Sequence, residues 1–145
     1  MNILVTGANG LLGRYLVELL SNYHKVFAIV KDKEKLNFEL NDNISAIEID
    51  LSLIDTKLFP KNIDVVYYLA QSNRFREFPE GVDDMLSINV VAPNILAKWA
   101  VKSGVKKFIY ASSGGVYTNP NKPVKEFFDI NANEKLGFYL NSKLS

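Results

Sequence analysis

Tyr139 and Lys143 stand four residues apart near the C-terminal end of the sequence, so on a helix they share one face. A phenol, with its pKa of about 10, is a poor base at neutral pH. A neighbouring ammonium favours the phenolate and brings proton exchange with a substrate hydroxyl within reach. Ser113 precedes the pair and follows a strand-like run, where its hydroxyl could hold the same reacting oxygen in line. Ser112 is the alternative, since either serine could be the one that faces a substrate. At the other end, Thr6-Gly7-Ala8-Asn9-Gly10-Leu11-Leu12-Gly13 joins a short apolar run to a helical pattern. Gly7 would allow the tight turn, Gly10 would let the backbone approach a pyrophosphate, and Gly13 would let helix and strand pack closely. The anion would gain from free amides and from the positive end of the helix dipole. A bare glycine turn or a surface aromatic–cation pair would each be unremarkable alone. Their order, with the glycine turn first, a strand and Ser113 next, and Tyr139 with Lys143 last, favours the chemical reading.

The elements that must position these groups are legible from periodicity. Ile3-Leu4-Val5 reads as a buried strand ended by Gly7. Leu11, Leu12, Tyr15, Leu16, Leu19 and Leu20 recur at helical spacing and predict a helix to about Asn22. Val26 to Val30, Ile44 to Ile49, Asp64 to Leu69 and Phe108 to Ala111 read as four further strands. Met85, Ile88, Ala92, Ile95, Leu96 and Trp99 predict one long helix that stops near Gly104. A loop marked by Pro120 and Pro123 leads to a last helix around Tyr139. Strands separated by helices imply a parallel sheet with right-handed crossovers. The expected fold is therefore α/β, a doubly wound Rossmann sheet of order 3-2-1-4-5, with ligand across the carboxyl ends of strands one and four.

Composition narrows the classes. At 145 residues, 48% hydrophobic and 23% charged, the chain fits one globular domain with a real core. With a net charge of +1 nothing argues for nucleic acid or an acidic membrane as partner, and neither is expected. The absence of cysteine removes thiolate metal sites and cysteine nucleophiles, and the single His24 argues against a histidine metal site. The apolar run at Met1 to Val5 is too short for a signal peptide or a membrane span, so cytoplasm is the expected location.

The motif set resembles the extended branch of the short-chain dehydrogenase/reductase superfamily, the NAD-dependent epimerase/dehydratase group. The residues that carry the likeness are the T-G-x-x-G-x-x-G turn, Asp50-Leu51, Leu69-Ala70-Gln71, Ile88-Asn89-Val90, the run Lys107 to Tyr117 containing Ser113, and Tyr139 with Lys143. The resemblance implies that Gly7, Asn9, Gly10, Leu11, Leu12, Gly13, Asp50, Leu51, Leu69, Ala70, Gln71, Asn89, Tyr139 and Lys143 border the cofactor. It also implies that Ser113 and Tyr139 handle the proton, while Lys143 additionally grips the nicotinamide ribose. Ser113 rather than Ser112 aligns with the family residue when Val116-Tyr117 is used as the guide. On this likeness residues 1–145 are a C-terminally truncated dinucleotide-binding domain, ending just after the Tyr-x-x-x-Lys motif and lacking the substrate-binding portion. Family members commonly dimerise through the fourth and fifth helices, so a homodimer is implied for the longer protein.

Choice of cofactor turns on the end of the second strand, where an acid suits NAD and a cation suits NADP. Lys31 and Asp32 stand there together, which leaves both open, with Lys31 and Arg14 tilting toward NADP. Choice of reaction turns on Gly114-Gly115, where the family's 4,6-dehydratases carry an Asp-Glu pair. That departure argues against water loss and leaves epimerisation or carbonyl reduction of a nucleotide sugar. The competing reading is a regulatory or sensor module that binds dinucleotide without turnover. Arg74, Phe75, Arg76 and Phe78 could meet a substrate phosphate or ring, although a solvated loop with an aromatic anchor explains them more simply. Pro93 cannot bond the carbonyl four residues back, that of Asn89. That carbonyl is expected to accept a water bridging to Lys143, unless the proline merely bends the helix.

Overall fold

The computed structural model describes residues 1–117, 123–125, 127, 130 and 137–145. Pro120, one marker of the expected late loop, lies outside the described residues. Five strands, β1 Asn2–Thr6, β2 Lys25–Val30, β3 Ile44–Glu48, β4 Val65–Tyr68 and β5 Lys107–Tyr110, form one sheet in the order β3-β2-β1-β4-β5. Every pairing is parallel, with Val5 opposite Ala28 on one side and Tyr67 on the other. The order reverses between β1 and β4, so their carboxyl ends diverge into a crevice. This is the doubly wound arrangement that the alternating apolar runs require.

Helix α1, Leu11–Ser21, follows β1, but it buries a different face from the one its leucines suggest. Gly13, Val17 and Ser21 face the sheet, with Leu16 and Leu20 partly buried against the same cluster, while Leu11, Leu12, Tyr15 and Leu19 are exposed. The cause is steric. At Gly13 a Cβ would run into the Gly7 carbonyl oxygen and sit 2.9 Å from the Ala8 Cα, so the sheet side of the helix must be its small-residue side. Gly7 itself has φ of +65°, and a Cβ there would lie 2.7 Å from the Ala70 nitrogen. Thr6 fastens the same junction, its Oγ1 accepting from the amides of Leu69 (3.2 Å) and Ala70 (3.3 Å).

The long helix expected before Gly104 is three segments: α2 Val82–Met85, a π-helical stretch Leu86–Val91, and α3 Ala92–Lys102. Pro93 is the physical reason. It has no N–H for the carbonyl of Asn89 four residues back, nor for that of Ile88 five residues back. Both carbonyls find phenols instead. Tyr68 of β4 donates to Ile88 O at 2.5 Å, and Tyr110 of β5 donates to Asn89 O at 3.1 Å. Tyr68 is fully buried and stacks on Tyr110 with ring centroids 5.8 Å apart, and burial raises its pKa. Leu4, Val66, Tyr68, Ala92 and Leu96 form the core on that side, with Phe59 and Trp99 packed at 5.2 Å between centroids. Helix α4, Phe138–Leu144, carries Tyr139 and Lys143. Among the described residues no helix is long and apolar enough to cross a membrane.

Tyr68→Phe should leave the Ile88 carbonyl without its phenol and cost about 1–3 kcal/mol in a urea titration. The cost should shrink in a Pro93→Ala background, where residue 93 gains an amide for the helix; an equal cost in both backgrounds would refute this account of the π-helical stretch.

Candidate functional site: the crevice at the sheet's carboxyl edge

A crevice of about 750 Å³ opens where the winding reverses. Gly7 to Gly13 border it after β1, Leu69, Ala70 and Gln71 after β4, Val30 and Lys31 at the end of β2, Ile49, Asp50 and Leu51 after β3, and Ala111 and Ser112 after β5. Lys143 contributes from α4. All five strand exits therefore meet at one place, as a doubly wound sheet dictates.

The floor of the crevice suits an anion. The N-cap of α1 is Gly10, with no side-chain cap and no acidic residue in the first turn. The first-turn amides of a helix have no intrahelical partner, so here they and the dipole stay available to a phosphate. At Gly10 a Cβ would stand 3.1 Å from the Gly7 carbonyl, so the turn is already filled by backbone. Asn9 braces it, its side-chain Nδ2 donating to Lys35 O at 2.9 Å while its own carbonyl accepts from Asn37 at 2.6 Å. The residues present thus fit a dinucleotide pyrophosphate.

At the far end Lys31 and Asp50 form an ion pair at 3.0 Å. Asp50 also accepts from the Ser52 hydroxyl (2.7 Å) and amide, and these bonds, with Lys31, hold its carboxyl below the usual range. Asp32 is turned to other work. It caps a short turn at the Glu34 amide (2.9 Å) and pairs with Lys35 (2.6 Å), which lowers its pKa. Lys31 borders the crevice and Asp32 does not.

The other end of the site is built on α4, which carries Tyr139 and Lys143. Lys143 is 4% exposed, and its Nζ donates to Ala111 O at 3.2 Å and lies 5.1 Å from the centroid of the Tyr110 ring. None of the ion pairs among the described residues includes it, and burial lowers its pKa. Tyr139, one turn earlier, donates its hydroxyl to Gln71 Oε1 at 3.0 Å, at the rim of the crevice. Phe75 packs on the Tyr139 ring at 5.2 Å, and the Arg76 guanidinium covers Phe75 at 5.1 Å. Ser112 borders the crevice and donates to the Lys143 carbonyl at 3.2 Å, whereas Ser113 accepts from the Gly115 amide at 3.3 Å and is not among the bordering residues.

The crevice thus gathers Gly7, Asn9, Gly10, Leu11, Leu12, Gly13, Lys31, Asp50, Leu51, Leu69, Ala70, Gln71 and Lys143. Asp32, Asn89, Ser113 and Tyr139 are not on its wall, although Tyr139 touches it through Gln71. Asn89 points inward, its Oδ1 accepting from the Ser72 amide and its Nδ2 donating to Ser142. The carbonyl that Pro93 frees at Asn89 meets the Tyr110 phenol, and the Lys143 ammonium lies over that same ring. Asn73 and Asp84 also border the crevice, and Asp84 accepts from the Ser72 hydroxyl. Neither carries a sequence signal, because a polar residue in a polar loop has no period to betray it.

The sequence matches the NAD dependent epimerase/dehydratase family over residues 3–144. It is similar to a UDP-N-acetylglucosamine 4-epimerase from Methanobrevibacter ruminantium, solved with UDP-N-acetylmuramic acid, at 28% identity and a TM-score of 0.83, over 99% of this chain and 47% of that one. A short-chain dehydrogenase/reductase superfamily protein from Agrobacterium tumefaciens, solved with bound NAD, gives 26% identity and a TM-score of 0.79 over 99% and 42%. A decarboxylating sterol-4-alpha-carboxylate 3-dehydrogenase from Dictyostelium discoideum is 28% identical over 98% of this chain and 45% of its own length. The chain thus spans about half the length of the proteins it matches. With a glycine turn, a five-strand order and a match that runs over nearly all its residues, the chain belongs to the NAD dependent epimerase/dehydratase family.

Proposed function

We propose that this chain is the dinucleotide-binding and proton-transfer portion of an epimerase or carbonyl reductase that acts on a nucleotide sugar. The observation that carries the reading is the crevice itself. It joins an uncapped, acid-free helix N-terminus to a buried ammonium, with a phenol at its rim. The Gly7–Gly13 turn would hold the pyrophosphate, Asp50 and Leu51 the adenine end, and Lys143 the nicotinamide ribose. When bound, the nicotinamide gives or takes the hydride. Tyr139 would exchange a proton with the substrate hydroxyl or carbonyl, and Ser113 or its neighbour Ser112 would hold that oxygen in line. Gly114-Gly115 place no carboxylate after β5, which supports epimerisation or reduction over water loss.

Between the two nicotinamide dinucleotides the reading leans to NADP. Lys31 is the cation at the exit of β2 that faces the crevice, where a ribose 2′-phosphate would sit. The alternative, a sensor that binds dinucleotide without turnover, is favoured by one observation. The hydroxyls of Tyr139 and Ser113 are each satisfied within the chain rather than by one another. The two readings separate on one variant. Tyr139→Phe should leave dinucleotide binding intact in both, and it should abolish turnover of the longer protein only if the protein is an enzyme.

The direct test is thermal melting with NAD and NADP separately. A ligand at a hundredfold excess over its Kd adds about 2.7 kcal/mol, so the midpoint should rise by several degrees, and Lys31→Glu should weaken the NADP response more than the NAD response. No rise with either dinucleotide would overturn the proposal. A second measurement uses the buried lysine. Burial lowers the folded-state pKa of Lys143 below 10.5, so the unfolded chain binds the extra proton between the two values and stability at this site grows as pH rises through that window. Lys143→Met should therefore be at least as stable as wild type at pH 7, and its advantage should shrink as pH approaches about 10.5. An advantage that widens with pH would contradict the assignment.

A further inference from the structure

Three polar groups lie buried behind the crevice wall, where an unpaired one would be costly: Ser72 and Asn89 at 0% exposure and Ser142 at 3%. They are all paired, and the pairing closes on itself. The Ser72 amide donates to Asn89 Oδ1 at 3.0 Å, and Asn89 Nδ2 donates to Ser142 Oγ at 2.9 Å. Ser142 donates to the Tyr139 carbonyl at 2.7 Å, and the Tyr139 hydroxyl donates to Gln71 Oε1 at 3.0 Å. Gln71 and Ser72 are adjacent, so the circuit is complete. It fastens the loop after β4, the π-helical stretch and α4 to one another. We propose that Ser142, acting through Asn89, is a positioning residue that fixes the Tyr139 phenol against Gln71 at the mouth of the crevice; this rests on the proton-transfer role given to Tyr139 above.

Helix α4 has seven residues and no side-chain cap, too short to hold its own conformation or direction in water. Its placement must come from tertiary contacts, and its two buried residues are Ser142 and Lys143. Lys143 ties α4 to the exit of β5, its Nζ donating to Ala111 O and its carbonyl accepting from Ser112. Ser142 ties it to the π-helical stretch, through Asn89. Its hydroxyl accepts from one element and donates within its own helix, so it sets both the depth and the rotation of the turn that bears Tyr139. Without that hydroxyl, Asn89 Nδ2 is stranded in a buried site, and the cheapest relief is for the carboxamide to turn. Turning releases the Ser72 amide, which leaves the loop that offers Gln71 to the phenol fastened through the Ser72 hydroxyl, on Asp84 and the Arg74 amide. A threonine keeps the hydroxyl and should keep the circuit.

The test is a ¹⁹F spectrum of the chain labelled with 3-fluorotyrosine, with the Tyr139 resonance assigned by its loss in Tyr139→Phe. Ser142→Ala should move that resonance toward the free amino-acid position, and Ser142→Thr should leave it where wild type has it. The same samples are melted with and without NADP, and the dinucleotide response should persist in Ser142→Ala. An unmoved resonance in Ser142→Ala overturns the proposal. Should that variant fail to fold, Ser142→Cys decides, since a thiol fills the same place but is a weak hydrogen-bond partner. A moved resonance there supports the circuit, and an unmoved one overturns it. A wild type that shows no dinucleotide response would defeat the proposed function while leaving the ¹⁹F result to stand on its own.

Discussion

The contact on which the site depends is the approach of α1 to the exit of β1, which is possible only because residue 13 has no side chain. A methyl at Gly13 would occupy the space of the Gly7 carbonyl. Removing that freedom would push the helix off the strand and turn its first amides away from the crevice. Several other features follow from this contact. Gly7 must take φ of +65° to bring the chain round, and Thr6 must tie the turn to the exit of β4. The exposed leucines follow as well. When the small-residue side of α1 faces the sheet, Leu11 and Leu12 are left at the crevice and Tyr15 and Leu19 on the outside.

A second constraint acts on the other wing of the sheet. Pro93 leaves two consecutive carbonyls without their helical partners, and the sheet supplies a phenol to each, from Tyr68 and Tyr110. Neither tyrosine is free to point elsewhere. The ring of Tyr110 is thereby held where it can lie beneath the Lys143 ammonium. A backbone defect in one helix thus orients an aromatic face against Lys143 of another. The expectation that the Asn89 carbonyl accepts a water bridging to Lys143 is not tested by these contacts, which show the carbonyl accepting from the Tyr110 phenol and the ammonium over that same ring.

How much of this could be read from the residues alone depends on whether a pattern or a packing decision carries it. The strand order was legible because apolar runs alternating with helical patterns admit few topologies once right-handed crossovers are required. The glycine turn was legible because its chemistry is backbone chemistry, which glycine advertises. The buried face of α1 was not. Leu11, Leu12, Tyr15, Leu16, Leu19 and Leu20 cover two adjacent stripes, and periodicity cannot say that a glycine and a valine will face the sheet instead. The inward turn of Asn89 and the part of Ser142 were hidden for a related reason. A lone polar residue among apolar ones has the same signature whether it faces a ligand or another polar residue. The split roles of Lys31 and Asp32 were not legible either, since only geometry assigns one to the crevice and the other to a cap.

Lys143 is the place where the fold departs furthest from what stability alone would select. Withdrawing an ammonium from water costs several kcal/mol even after relaxation. Against this stand one hydrogen bond to a carbonyl, about 1.5–3 kcal/mol for a charged group, and a face-on aromatic ring, about 0.5–2 kcal/mol. The two sides are close, and burial lowers the pKa of the lysine. An Asp or Glu beside it would reverse that balance at once, yet no ion pair among the described residues reaches it. A carboxylate there would also cancel the positive field that this end of the crevice offers. The ring and the carbonyl hold the cation in place without neutralising it, so its charge stays available to whatever enters. A local rule broken without a compensating gain in stability points to function, and here the break coincides with the wall of the crevice.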